Sequence, residues 1–293
     1  MELSLLAVTA MALLGVFAGW LGSIVGIGGG LIIVPVLVLG FGFDIRVAVA
    51  TSLVAVVATS TAAGSSYVGR GLANMRLGMT LEVATTIGGI MGGLIAVLVS
   101  PSLLSGLFAV LMLATALTVV RGGRKPERVD AEASDSEPDA EPIGWEEPGT
   151  LAGAYYDEHR GELVRYGANR LALGAAASLV AGTVSGMLGV GGGFMKVPAM
   201  TEGMGVPIKV AAATSNFMIG VTAVASLFIY FARGYVEPYA AAPVALGVVG
   251  GALIGAATSS RVSPTVLRRL LVAVLVLVSV QMALKAFGVD VGR

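Results

Sequence analysis

Gly26, Gly28, Gly29 and Gly30 put four glycines into five positions inside an apolar stretch, and Gly189, Gly191, Gly192 and Gly193 repeat the pattern later in the chain. A proline follows each cluster, Pro35 and Pro198. Each glycine costs a helix interior roughly 1 kcal/mol relative to alanine, so a helix should break at both places. A helix that restarts after such a break aims unpaired backbone N–H groups, about half a positive charge, back at the gap. Glycines also let a solute come close to that backbone, so the chemistry on offer is anion binding without a charged side chain. Close packing of membrane helices is the other use for such glycines. A nucleotide-binding P-loop is excluded, because no Lys-Ser or Lys-Thr follows either run.

Hydroxyl and amide groups come next. Thr51 and Ser52 follow the first break, and Thr214, Ser215 and Asn216 follow the second, early in the next long segment. They can donate hydrogen bonds to sulfonate or carboxylate oxygens, or simply bond carbonyls of their own or a neighbouring helix. Lys196 is the one cation set deep in an apolar segment, where its counterpart in the first half is Ile33. A lysine at the bilayer centre costs roughly 2.5–3.5 kcal/mol, which suggests a place on a solute pathway; the other readings are snorkelling to an interface or pairing with Glu202. Arg46 and Lys209 occupy equivalent helix starts and are gate cations or interfacial anchors. Glu82 could relay a proton. Enzyme-type constellations are missing: the single histidine, His159, lies in a polar stretch, and no His/Asp/Glu cluster has metal-ligand spacing. The residues ask for no metal, no cofactor and no nucleic acid.

The elements that must hold these residues are membrane helices. The chain of 293 residues is 56% hydrophobic and 12% charged, with a mean hydropathy of +0.90. A soluble domain carries about twice that charged fraction, so this is a polytopic helical membrane protein set in a lipid bilayer. Cysteine is absent, which excludes disulfides and thiolate metal sites. The first apolar segment reads as a membrane helix, not a signal peptide, since it has a copy in mid-chain.

Shifting the sequence by 163 residues aligns its halves without a gap: Gly19 meets Gly182, Val34-Pro35 meets Val197-Pro198, Ala50-Thr51-Ser52 meets Ala213-Thr214-Ser215, Tyr67 meets Tyr230, and Gly88, Gly92 and Pro101 meet Gly251, Gly255 and Pro264. The chain is a duplicated unit. Each unit reads as a first helix (about 3–25 and 168–189), the break, a half-helix (31–41 and 194–203), and three long helices (46–69, 77–99, 102–120, with copies at 209–232, 239–259, 265–287). Arg70, Arg76, Arg121, Arg124 and Lys125 against Arg261, Arg268 and Arg269 place positive loops on opposite ends of the two units. By the positive-inside rule the units are inverted and the central linker is cytoplasmic.

The organisation is therefore a membrane repeat over 1–121, an acidic linker over 122–165, and a second membrane repeat over 166–293. The linker holds 12 of the 18 acidic side chains and 5 of the 18 basic ones, leaving the remainder with 13 basic against 6 acidic, a body suited to an anionic solute. Its early part reads as solvated connector, and Tyr155, Tyr156, His159 and Tyr166 as a short helix on the membrane face. The glycine-rich segment Gly88 to Gly93 suggests a homodimer contact.

The doubled pattern Gly26-Ile-Gly-Gly-Gly-Leu-Ile-Ile-Val-Pro35 and Gly189-Val-Gly-Gly-Gly-Phe-Met-Lys-Val-Pro198, each with Ala-Thr-Ser some fifteen residues on, resembles the TauE/SafE sulfite exporter family. The resemblance covers both halves and not the acidic linker. It implies a transporter of the prokaryotic inner membrane that exports a small sulfur-containing anion, sulfite or an organosulfonate such as sulfoacetate, with the breaks and their Thr-Ser followers as its site. An uptake permease, an anion channel or a non-transporting membrane partner are the other readings.

Overall fold

The computed structural model describes residues 5–25, 29–69, 72–122, 145–146, 151–157, 162–258 and 264–288. The first unit comprises α1 (Leu5–Val25), α2 (Gly30–Gly40), α3 (Ile45–Gly69), α4 (Met75–Leu98) and α5 (Pro101–Gly122). The second comprises α6 (Leu171–Leu188), α7 (Gly193–Pro198) continued by a π-helical turn (Ala199–Gly203), α8 (Ile208–Ala232), α9 (Pro238–Thr258) and α10 (Pro264–Ala286). Between them lies a small antiparallel sheet in the order β1 (Trp145–Glu146), β2 (Gly153–Asp157), β3 (Glu162–Tyr166). Among the described residues seven helices, α1, α3–α6, α8 and α9, are long and apolar enough to cross a bilayer. Large apolar side chains stay outside, Leu98 being 79% and Leu246 76% exposed, as a surface facing lipid hydrocarbon requires. The protein is an all-α multi-pass membrane protein. At about 1.5 Å per residue the 11-residue α2 reaches roughly 16 Å, half a hydrocarbon layer.

Helix pairing follows from glycines that let backbones touch. A Cβ at Gly88 would run into Leu179 O and one at Gly92 into Thr183 O, binding α4 to α6. The equivalent positions do the same in exchange: Gly251 meets Val16 O and Gly255 meets Trp20 O, binding α9 to α1. Gly19 against Val248 O and Gly182 against Thr85 O complete the set. Each unit's first helix is thus held by the other unit's fourth segment, and each of these six contacts has a partner 163 residues away, the reciprocity that a two-fold relation produces. The equivalent helices α5 and α10 pack against each other: Ser279 Oγ donates to Ala109 O at 2.9 Å, and a Cβ at Gly106 would lie 3.6 Å from Ala286 Cβ. Moving forward along α5 moves backward along α10, so the pair is antiparallel.

Two expectations change here. Gly88, Gly89, Gly92 and Gly93 are all consumed inside the chain, against α6 and α8, so they offer no glycine face to a second copy. The aromatic end of the linker is a β-hairpin instead of a helix, with Tyr155 paired to Val164 and Gly153 to Tyr166. Tyr155 and Val164 are buried with Leu77, Leu81, Met200 and Met204, so the hairpin shares a core with the membrane repeats. Tyr156 sits on β2 and His159 lies outside the described residues.

Candidate functional site

The second break is built on left-handed backbone. Gly189 caps α6 with φ 70° and donates its N–H to Ser185 O at 2.7 Å, and Gly191 (φ 88°) and Gly192 (φ 70°) turn the chain into α7. Only glycine adopts these angles without strain. Gly192 O then accepts from Met195 N and Lys196 N, each at 3.2 Å, and the equivalent Gly29 O accepts from Ile32 N at 3.1 Å and Ile33 N at 3.2 Å. Gly29 and Gly192 also rest on equivalent atoms: an added Cβ would lie 2.9 Å from Ala18 O and 3.0 Å from Ala181 O. Gly26 and Gly28 lie outside the described residues.

The two breaks meet. A Cβ at Gly30, the first residue of α2, would collide with Gly189 O, lie 2.8 Å from Ser52 Oγ and 3.2 Å from Val190 Cα. Ser52 Oγ donates to that same Gly189 O at 2.7 Å, tying α3 to the far break. A Cβ at Gly191 would lie 3.0 Å from Ile219 Cγ2 on α8 and 3.5 Å from Val56 Cγ1 on α3, so the helices carrying the Thr-Ser pairs flank the second break. Gly193 opens α7 and is buried.

The Thr-Ser pairs are buried and unequal. Thr51, Ser52, Thr214 and Ser215 are at most 1% exposed. Ser52 serves Gly189, and Thr214 Oγ1 accepts from Asn74 N at 3.0 Å. Thr51 Oγ1, Ser215 Oγ and the Oγ of Ser185, whose Cβ lies beside Gly192, have no hydrogen-bond partner among the described residues. Leaving a buried hydroxyl unpaired costs about 1–3 kcal/mol, and these three lie on α3, α6 and α8. Asn216 Nδ2 donates one of its two amide hydrogens to Ala212 O at 3.1 Å, on its own helix.

The predicted cations have contacts of their own. Lys196 is 1% exposed and donates to Thr222 Oγ1 at 3.3 Å; its partner is Glu82, 4.0 Å away on α4, and not Glu202, which is exposed. Thr222 Oγ1 and Thr86 Oγ1 donate to Glu82 Oε1 at 2.7 and 3.0 Å. Arg46 closes the end of α4: it donates to Val99 O at 2.7 Å and Ala96 O at 3.3 Å and lies over the Tyr235 ring. Three carbonyl-directed and aromatic contacts give it a clamping task. Tyr235 packs edge-on against Tyr230, whose hydroxyl donates to Gly186 O, just before the second break. Lys209 is exposed at the start of α8.

Sequence reasoning missed Asn74, Ser185 and Thr222. Asn74 caps α4 through Leu77 N at 2.9 Å, holds the hairpin through Leu151 O and Tyr166 OH at 3.1 and 3.2 Å, and meets Thr214 through its backbone. An asparagine just ahead of an apolar helical run is the signal that would have found it. Thr222 was visible as the copy of Thr59. Ser185 has Gly22 as its counterpart, so the repeat hid it.

Comparison with known proteins joins this geometry to a family. The family model described as sulfite exporter TauE/SafE matches residues 11–282. A Bacillus subtilis (strain 168) relative, described as probable membrane transporter protein YunE, is 25% identical over 279 residues, covering 93% of this chain and 96% of that protein. No solved structure matches.

Proposed function

Because the chain belongs to the TauE/SafE sulfite exporter family of membrane transporters, we propose that it carries a small sulfur-containing anion, sulfite or an organosulfonate such as sulfoacetate, through the junction of its two glycine breaks. The observation that carries this reading is the contact of Gly30 with Gly189, Val190 and Ser52, which brings the two chain breaks and the first Thr-Ser pair together at a buried contact. Backbone N–H groups at the start of α2 and the unpaired hydroxyls of Thr51, Ser185 and Ser215 supply donors for sulfonate oxygens without a fixed net charge. A monoanion held by neutral donors can also be released, which a carrier needs.

Transport proceeds by alternating access, one repeat rocking against the other around the junction. The antiparallel packing of α5 on α10 supports opposite membrane orientation of the repeats, the arrangement of many secondary transporters. The cell is prokaryotic, the membrane is the cytoplasmic one, and the linker faces the cytoplasm. The outward direction follows the family's description.

Calorimetry on the purified protein with sulfite, sulfoacetate, taurine, sulfate and acetate tests the reading, alongside a Gly29→Leu, Gly192→Leu double variant. Saturable binding of a sulfur anion, lost in a variant that still folds, is the expected result. Equal binding by the variant would move the site elsewhere, and binding of acetate alone would remove the substrate class. Counterflow in proteoliposomes then separates a carrier from a channel.

A further inference from the structure

The buried pair Glu82–Lys196 is unused by the site just described, and it is lopsided. Its positions in the other repeat are held by Ala245 and Ile33, while Thr222 matches Thr59. The fold therefore accommodates apolar residues at both places. A desolvated ion pair adds little stability over an apolar pair of similar volume, so stability does not explain it. The pair joins α4 of the first repeat to α7 and α8 of the second, across the boundary that alternating access must move. It is also incomplete: Nζ and Oε2 are 4.0 Å apart, and Oε2 has no hydrogen bond among the described residues. Lys196 stands three residues after Gly193, and side chains in a helix lean toward its N-terminus, here the break.

We propose that Glu82 and Lys196 form a proton-exchanging pair that loads one proton with each anion bound at the glycine junction. With no anion, carboxylate and ammonium neutralise each other. An arriving anion draws the Lys196 ammonium away from Glu82; Oε2 then takes a proton from water on the open side and Glu82 becomes a neutral acid. The buried centre stays neutral with a monoanion inside, whereas an unprotonated Glu82 would leave a net negative charge away from water. When the anion leaves, the ammonium returns to the carboxylate and the proton goes back to water. Other titratable groups on the elements packed around the pair are Arg76 at the start of α4, Glu202 on the π-helical turn, and Lys209 and Tyr230 near the two ends of α8; α6 contributes none.

The proposal rests on anion binding at the junction, and its test separates the two. In weakly buffered detergent solution, sulfoacetate, which is fully ionised at neutral pH, should bind with uptake of about one proton, and its affinity should fall about tenfold for each pH unit of alkalinisation. Glu82→Gln should bind with no proton uptake and a flat pH profile. The Glu82→Ala, Lys196→Ile double variant, which installs the residues of the other repeat, should melt like the wild type and show the same loss. Independently of any ligand, Lys196→Met should show an infrared carboxylic-acid band at neutral pH that disappears when Glu82→Gln is added. Anion binding without proton uptake, or a Lys196→Met protein lacking the band, overturns the proposal. Failure of every sulfur anion to bind sinks the substrate reading, and the band still decides whether Glu82 holds a proton.

Discussion

Gly30→Ala is the most direct test of the meeting of the breaks. Its new methyl would collide with Gly189 O and stand 2.8 Å from Ser52 Oγ, where ordinary contact begins near 3.4 Å. Ser52 must therefore retreat by about 0.6 Å while Gly189 moves as well, and the 2.7 Å hydrogen bond between them cannot survive both shifts. Overpacking of this kind costs about 1–3 kcal/mol, and the lost bond a further 0.5–1.5 kcal/mol. The variant should melt several degrees below the wild type in detergent. If the junction is the anion site, uptake of radiolabelled sulfite or sulfoacetate into proteoliposomes should fall at least about tenfold, the equivalent of 1.4 kcal/mol. Gly250→Ala is the control, because nothing lies within 4 Å of its added Cβ; removing a mid-helix glycine there should leave transport unchanged and stability equal or higher. A Gly30→Ala protein that melts and transports like the wild type would show that the breaks do not touch, and the central-site argument would go with it.

Ser52→Ala should destabilise by about 1 kcal/mol because Gly189 O loses its donor, whereas Ser215→Ala should leave the melting temperature unchanged and weaken anion binding, since its hydroxyl has no hydrogen-bond partner among the described residues. Calorimetric affinity set beside thermal melting separates those two effects. Asn74→Ala removes a helix cap and both hydrogen bonds to the hairpin region; a loss of about 0.5–2 kcal/mol should appear as roughly tenfold faster amide exchange across residues 153–166. Unchanged exchange there would mean that the apolar cluster alone holds the hairpin. Arg46→Ala should lower the melting temperature with little change in anion affinity, because its contacts are carbonyls at the end of α4 and the Tyr235 ring; an affinity change without a stability change would restore the gate reading. Replacing residues 127–144 by a short Gly-Ser linker should leave transport at the wild-type rate, and abolished transport would make the acidic run part of the function.

The duplicated plan was legible because a spacing of 163 residues carries its own control: a glycine motif seen twice in register is a fold feature. The break positions were legible for the same reason, and Gly189, Gly191 and Gly192 do adopt positive φ. The partner of Lys196 was not legible. Glu202, six residues on, was the nearest acidic group by sequence, but six residues is not a facing distance on a helix, and the carboxylate that pairs with Lys196 comes from the other repeat. The hairpin was hidden too. Its strands are five residues each, and their support comes from Leu77, Leu81, Met200 and Met204, which are distant in sequence. Arg46 read as a gate cation or an interfacial anchor because charge is visible in a sequence, whereas the carbonyls that occupy it belong to Ala96 and Val99 and are visible only after folding.

The exchange of first helices between the repeats has a consequence for how the protein is made. Gly15 and Gly19 of α1 have their packing surface on Val244 and Val248, which leave the ribosome more than two hundred residues later. At about 5–20 residues per second, α1 spends on the order of ten to fifty seconds in the translocon or in lipid before its partner is synthesised. The first repeat therefore cannot finish folding by itself, and α4 waits in the same way for α6. Two separately synthesised halves should be unstable alone and recover a native melting transition when produced together, because each supplies the helix against which the other closes.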